Sequence, residues 1–248
     1  MASSYTLLVN DFERHDVASI KARLENGADP NQIENGKPIF IWLLEMYTRG
    51  PRFQQCVQAF IDAGLKFKDE PLLAVLADNA SKLEQLIITD PTCICKTYDI
   101  LNATYTSLMD ATLLHFCAEY NSLNCAKVLV KHGADINARA GVDAYGFGGH
   151  TPIFHTVNQN GNHSADMLHF LLDHKVDLNL TVKGLIWGKG YEWETFIPAV
   201  NPLSYARMGS LPQMHRKQET VAAVVSLLLK HAYGIDYLLP NVPNMYLR

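Results

Sequence analysis

The chain is poor in charge, in cysteine and in long apolar runs, and each shortage removes a class of function. Only 19% of its 248 residues are charged, and 21 Lys and Arg against 25 Asp and Glu leave a formal net charge of −4. So weak a field neither draws in nucleic acid nor holds an anionic membrane surface. The longest apolar runs, such as Ile39 to Leu44, are far too short to span a bilayer. The stretch from Met1 to Tyr5 has neither the basic start nor the apolar core of an export signal. Five cysteines form an odd set with no framework spacing, so reduced thiols and a cytoplasmic location are expected. Cys93 and Cys95 are the one close pair. They lack the second pair that a structural zinc site needs and read as two buried small residues. Also missing are a G-x-S-x-G elbow, a phosphate-binding loop and a kinase signature, so no enzyme and no cofactor is expected. At 48% hydrophobic, the chain nevertheless has ample material for a core.

What is present is repetition. Thr112-Leu-Leu-His115-Phe-Cys-Ala118 reads as a helix entered at a Thr N-cap. Leu123, Ala126, Val128 and Leu129 then follow at helical spacing and stop at Gly133, where a left-handed residue ends a helix without steric cost. The segment closes on Ala134-Asp135-Ile136-Asn137. A similar frame recurs at Lys37-Pro38-Ile39-Phe40, Glu70-Pro71-Leu72-Leu73, Thr151-Pro152-Ile153-Phe154 and Asn201-Pro202-Leu203-Ser204. Upstream, Leu7 to Glu13 and then Val17, Ile20 and Leu24 lead to a further closing run, Asp29-Pro30-Asn31.

These motifs resemble ankyrin repeats, whose opening is T-P-L-H-x-A, with Leu113 in place of the Pro. The resemblance implies an all-α fold, a solenoid of about six stacked helix–turn–helix units over residues 1–236 with β-hairpin fingers between them. Residues 237–248, with Pro240 and Pro243, would form an extended tail packed on the last unit. The openings at positions 38, 71, 113, 152 and 202 are 33, 42, 39 and 50 residues apart, so only the first spacing is regular. Lys175 stands where the family places Gly, which suggests that this helix ends by another route. Part of the excess length lies inside units, at Tyr47–Pro51, Asn160–Asn162 and Gly209–Arg216.

The rest of the excess lies in the fingers. From closing residue to the next opening, Asn31 to Lys37 is six steps and Lys68 to Glu70 two. Asn137 to Thr151 is 14 steps and Asn179 to Asn201 is 22. Insertions of this kind commonly map to a binding face. The longest finger, Lys183 to Phe196, reads as a β-hairpin with a Gly-Lys-Gly turn. Alternation puts Tyr191, Trp193 and Thr195 on one face, and Glu192, Glu194 and Phe196 on the other. The preceding finger, Gly141 to His150, is rich in glycine and carries Tyr145 and Phe147.

By resemblance, the protein is a non-catalytic, monomeric interaction module with a protein partner, and neither nucleic acid nor membrane. Its docking surface would combine the concave face with Tyr145, Phe147, His150, His155, Trp187, Tyr191, Glu192, Trp193 and Glu194. His115 takes the family's opening-motif position, whose work is hydrogen bonding within its own repeat. The competing reading is an enzyme or metal site built from His155, His163, His215, Glu192 and Glu194 at the long fingers.

Overall fold

The computed structural model describes residues 4–100, 106–188, 192, 194–209 and 216–238. The first helix pair is α1 (Ser4–Glu13) and α2 (Val17–Glu25). A hairpin of β1 (Ile33–Glu34) and β2 (Lys37–Pro38) leads into α3 (Ile39–Glu45) and α4 (Phe53–Asp62). The third pair is α5 (Glu70–Leu76) and α6 (Ala80–Thr89). A second hairpin, β3 (Thr97–Ile100) and β4 (Leu108–Thr112), precedes α7 (Leu113–Tyr120) and α8 (Leu123–Lys131). The fifth pair is one 3-10 turn, Pro152–His155, with α9 (Ala165–Asp173). After β5 (Val182–Trp187) and β6 (Thr195–Val200) comes the last pair, α10 (Pro202–Met208) and α11 (Gln218–Tyr233). The fold is mainly helical with short antiparallel hairpins, as the repeat pattern requires.

Side-chain chemistry fixes the helix boundaries. Asp16, Asp69, Asn79 and Asn201 each accept a backbone N–H three residues on, at 2.9–3.1 Å, satisfying a donor that the helix itself leaves free. In β1–β2, Asn35 and Gly36 both take positive φ, the Asn-Gly pattern of a tight hairpin. Successive pairs stack inner on inner and outer on outer: α1 on α3, α2 on α4, α5 on α7 and α6 on α8. Asparagine staples reinforce the stack. Asn31 donates to the Gly64 carbonyl and accepts from the Lys66 amide, while Asn137 accepts from the Asp177 amide.

Three expectations are corrected here. The helix before Lys175 does not end by another route: Lys175 takes φ 60°, in the same left-handed region as Gly133 at 89°. The lysine therefore tolerates a conformation that is unfavourable for any L side chain by about 1–2 kcal/mol. Gly133→Val should lower unfolding free energy by about 1–2 kcal/mol, while Lys175→Gly should raise it by about 1 kcal/mol. Urea midpoints that move the same way for both would refute this account.

The second correction concerns the helix expected at Thr151. It is a single 3-10 turn, with a second short turn at Asn160–Asn162. Ile153, Thr156 and Val157 are β-branched and stiff against a helical turn. Thr156 Oγ donates to the Ile153 carbonyl at 2.8 Å, and Ser164 Oγ to the Thr156 carbonyl at 2.6 Å. These bonds take acceptors that a continuing helix would use.

The thiols of Cys56, Cys93, Cys117 and Cys125 are buried, but Cys95 is exposed rather than buried as expected. The 3-10 helix Pro91–Cys95 turns about 120° per residue, so positions two apart diverge.

Candidate functional site: the joined fingers

The Gly141–His150 finger is a tight loop held from inside. The Asp143 carboxylate accepts from the amides of Tyr145 at 2.9 Å and Phe147 at 3.0 Å, and Val142 bridges Gly148. This places Tyr145 at the tip, 72% exposed, with Val142 beside it at 58%. Backbone bonds tie the loop to both neighbours. Gly141 N–H donates to the Met109 carbonyl in β4 at 2.8 Å, and Gly148 N–H to the Gly184 carbonyl in β5 at 2.9 Å. Three consecutive fingers are thus stitched edge to edge.

Aromatic packing strengthens the second seam. Phe147 lies 4.6 Å from Phe196 of β6 and 6.0 Å from Tyr145, centroid to centroid. Gly184 makes this possible: a Cβ there would sit 2.4 Å from the Phe196 ring and 3.2 Å from Phe147. The rings occupy the space its side chain would fill. Lys183 Nζ donates to the Tyr145 carbonyl at 2.6 Å and lies 5.5 Å from the Phe147 centroid. The product is a row of rings, Tyr145–Phe147–Phe196, with Tyr145 and Phe196 exposed, the latter 48%, and Phe147 half-buried between them.

The outer edge of β6 is closed to strand addition. Gly184 pairs with Pro198, and the Gly184 carbonyl faces away toward Gly148. Pro198 therefore faces outward and has no N–H to offer, and Ala199 kinks the strand with φ 46°.

Several expected contact residues lie elsewhere. Trp187, 2% exposed, is part of the core, not an exposed anchor. Its place in β5 turns the ring inward, where apolar burial holds it. Glu192 and Glu194 are exposed and precede β6, which starts at Thr195. Tyr191, Trp193 and His215 fall outside the described residues. Phe196, assigned from sequence to the face opposite Trp193, is the residue that sequence reasoning missed as a contact. The signal was Gly184 across the hairpin, a gap beside an aromatic.

His150 and His155 are buried, not exposed on the finger base and concave face. His115 organises them. The Thr112 amide donates to its Nδ1 at 3.2 Å, which leaves Nε2–H to donate to the His150 carbonyl at 3.2 Å. Burial, then the nearby His155, draws the His115 pKa down to about 3, so the ring is neutral. His150 Nε2 meets the Ser107 carbonyl at 2.9 Å, and burial pushes its pKa down as well. The Thr112 contacts are the intrarepeat bonds expected of an opening-motif histidine, and the bond to the His150 carbonyl adds a tie to the next unit. Residues 72–182 match the family model of ankyrin repeats, in three copies. Ankyrin repeats are typically protein-binding modules and usually non-catalytic. No curated protein matches the chain.

Next to these ankyrin-repeat histidines is a buried ion-pair network. His155 Nδ1 meets Glu119 Oε2 at 2.7 Å, and Arg49 Nε meets Glu119 Oε1 at 2.7 Å. The Arg49 and Glu119 side chains are only 5% and 6% exposed. Burial alone would raise the Glu119 pKa, but the Arg49 guanidinium and His155 outweigh it and hold the carboxyl below its usual range. Arg49 also bonds to the Met46 and Thr48 carbonyls and stacks on Tyr120. Tyr120 in turn donates to the Leu44 carbonyl at 2.8 Å and stacks on Phe53 at 4.6 Å. The long α3–α4 loop thus reaches past the third pair to grip α7. His155 is engaged here, and among the described residues no three His, Cys, Asp or Glu side chains are grouped to hold a metal.

Proposed function

We propose that the protein is a non-catalytic scaffold that binds a protein partner on its joined fingers, with Tyr145, Phe147 and Phe196 as anchors. The row carries this reading: two exposed rings, Tyr145 and Phe196, flank the half-buried Phe147. Monomeric proteins seldom leave contiguous aromatic surface open, and aromatics dominate binding hot spots. Seams to β4 and β5 pre-order the row, so little conformational entropy is lost on docking. Glu192, Glu194, Tyr191 and Trp193, on the same long finger, extend the surface, and the concave face lies beside it. Trp187, His150 and His155 act from beneath, by fixing the fingers. No described helix is long and apolar enough to cross a membrane, which leaves the proposal of a cytoplasmic monomer open to direct measurement.

Tyr145→Ala and Phe196→Ala should each weaken partner binding by about 2 kcal/mol or more while leaving the melting temperature nearly unchanged. Trp187→Ala should instead lower stability by about 3–5 kcal/mol, as core aromatics do. Capture from lysate, quantified for wild type and each variant, and melting curves of the same samples supply both readouts. If proteins captured by the wild type are held equally by Tyr145→Ala and Phe196→Ala, the row is not the docking surface.

A further inference from the structure

Arg216 lies between α10 and α11, against the irregular part of the fifth pair. Its Nη1 donates to the Val157 carbonyl and to Asn158 Oδ1, the latter at 3.1 Å. Asn158 is itself buried and fixed, its Nδ2 donating to the Tyr205 carbonyl at 2.5 Å. These bonds set the plane of the guanidinium. The opposite edge is different: Nε and Nη2 are both closed to solvent, and neither has a hydrogen-bond partner among the described residues.

This inverts the usual habit of a long cationic side chain, which buries its stem and keeps its head in water. Here the residue keeps some exposure while two of its three nitrogens have none. Burial draws the Arg216 pKa down to about 10, with no opposing contribution from a carboxylate. A guanidinium does not shed its proton near neutral pH, and a buried charge without a counter-ion is strongly unfavourable. Gly209 leaves the neighbourhood without a side chain; a Cβ there would sit 2.9 Å from Asn158 Oδ1 and 3.2 Å from Arg216 Cδ.

We propose that the Nε–Nη2 edge of Arg216 is a receptor for a carboxylate, supplied by an aspartate or glutamate side chain of the protein partner. Nε–H and the adjacent Nη2–H are parallel donors at the spacing of two carboxylate oxygens, the side-on bidentate arrangement that arginine forms and lysine does not. With Nη1 already anchored, the edge is oriented before the ligand arrives. The proposal rests on the partner-binding function, but the site can be tested without a partner.

The probe is N-acetyl-glutamate amide, which presents one side-chain carboxylate, with inorganic phosphate as a second anion and chloride as the control at equal ionic strength. Entry requires a local opening, so protein and probe are equilibrated before melting. At saturating carboxylate the wild type should melt about 2–4 °C higher than in chloride. Arg216→Lys should retain a fraction of that rise, and Arg216→Met none. In chloride alone, Arg216→Met should melt no lower than wild type, because it removes an uncompensated charge. A rise with phosphate and none with carboxylate would overturn the assignment, as would a carboxylate rise that survives in Arg216→Met. A lower melting temperature for Arg216→Met, together with no wild-type response to the probe, would show an arginine that serves only packing. Tyr145→Ala should leave the probe response intact, so failure of the finger surface and failure of this site are separately visible.

Discussion

Replacing Arg49 with methionine should lower the unfolding free energy by about 3–5 kcal/mol, the loss typical of breaking one side of a buried ion pair. The methionine keeps most of the stem volume, so the loss comes from Glu119, left buried with only His155 to neutralise it. Glu119→Gln should also destabilise, because the Arg49 charge then stays enclosed. The double variant Arg49→Met, Glu119→Gln should lose less than the two single losses combined, because no isolated charge is left. Urea unfolding of the four proteins tests this. A loss below about 1 kcal/mol for Arg49→Met would place the pair among weak surface contacts.

Acidification should have an effect of comparable size. His15, His115 and His150 are all held below the ordinary histidine value. For His15 burial, then Arg49 and Arg52, brings the pKa down to about 4; for His115 it is about 3. Each therefore stays neutral in the fold while the unfolded chain takes up a proton below about pH 6.5. Stability is complete above that value and falls as pH drops toward the folded values. Each histidine contributes about 1.4 kcal/mol per pH unit below that value, so His15 and His115 together give about 4 kcal/mol between pH 7 and 5, and His150 adds in the same direction. Burial sets the sign and the facing groups add to it: Arg49 and Arg52 at His15, His155 at His115, and His155 with His115 at His150, where His155 is itself paired with Glu119. Carboxylates whose pKa is lowered, such as Glu119 and Asp69, contribute in the same direction but below this window. His15→Asn suits the positive φ of 46° and should flatten the profile by about 2 kcal/mol over that range. Equal urea midpoints at pH 7 and 5 would contradict the assignment.

The helix pairs were legible because their signals are local. A cap, an apolar face at helical spacing and a left-handed stop can all be read within a short window, and α7 with α8 shows all three. The fifth pair failed because the competition there is between side-chain and backbone hydrogen bonds, which Thr156 and Ser164 decide only once folded. That the long finger forms a hairpin, β5–β6, was legible from the sequence, but the direction of Trp187 depends on what lies beneath it. Tyr145 and Phe147 could be marked from sequence as aromatic residues in a long finger. Their alignment with Phe196 could not, since it depends on Gly184 and on the meeting of two fingers 38 residues apart at Tyr145 and Lys183. The Arg49–Glu119 pair spans 70 residues, and no local pattern announces it.

That pair changes how the array can come apart. In a simple stack each unit leans only on its neighbours, and loss from one end exposes the next unit in turn. Here the second pair is linked to the third along the chain, the third packs on the fourth, and the fourth is fastened back to the second through Arg49 and Tyr120. The three form a closed circuit with no loose end of its own. Peeling that begins at α1 meets this circuit and halts until all of it opens together. The Gly141–His150 finger follows α8 and bonds to β4, so the ring row proposed for docking is mounted on the part of the molecule that unzips last.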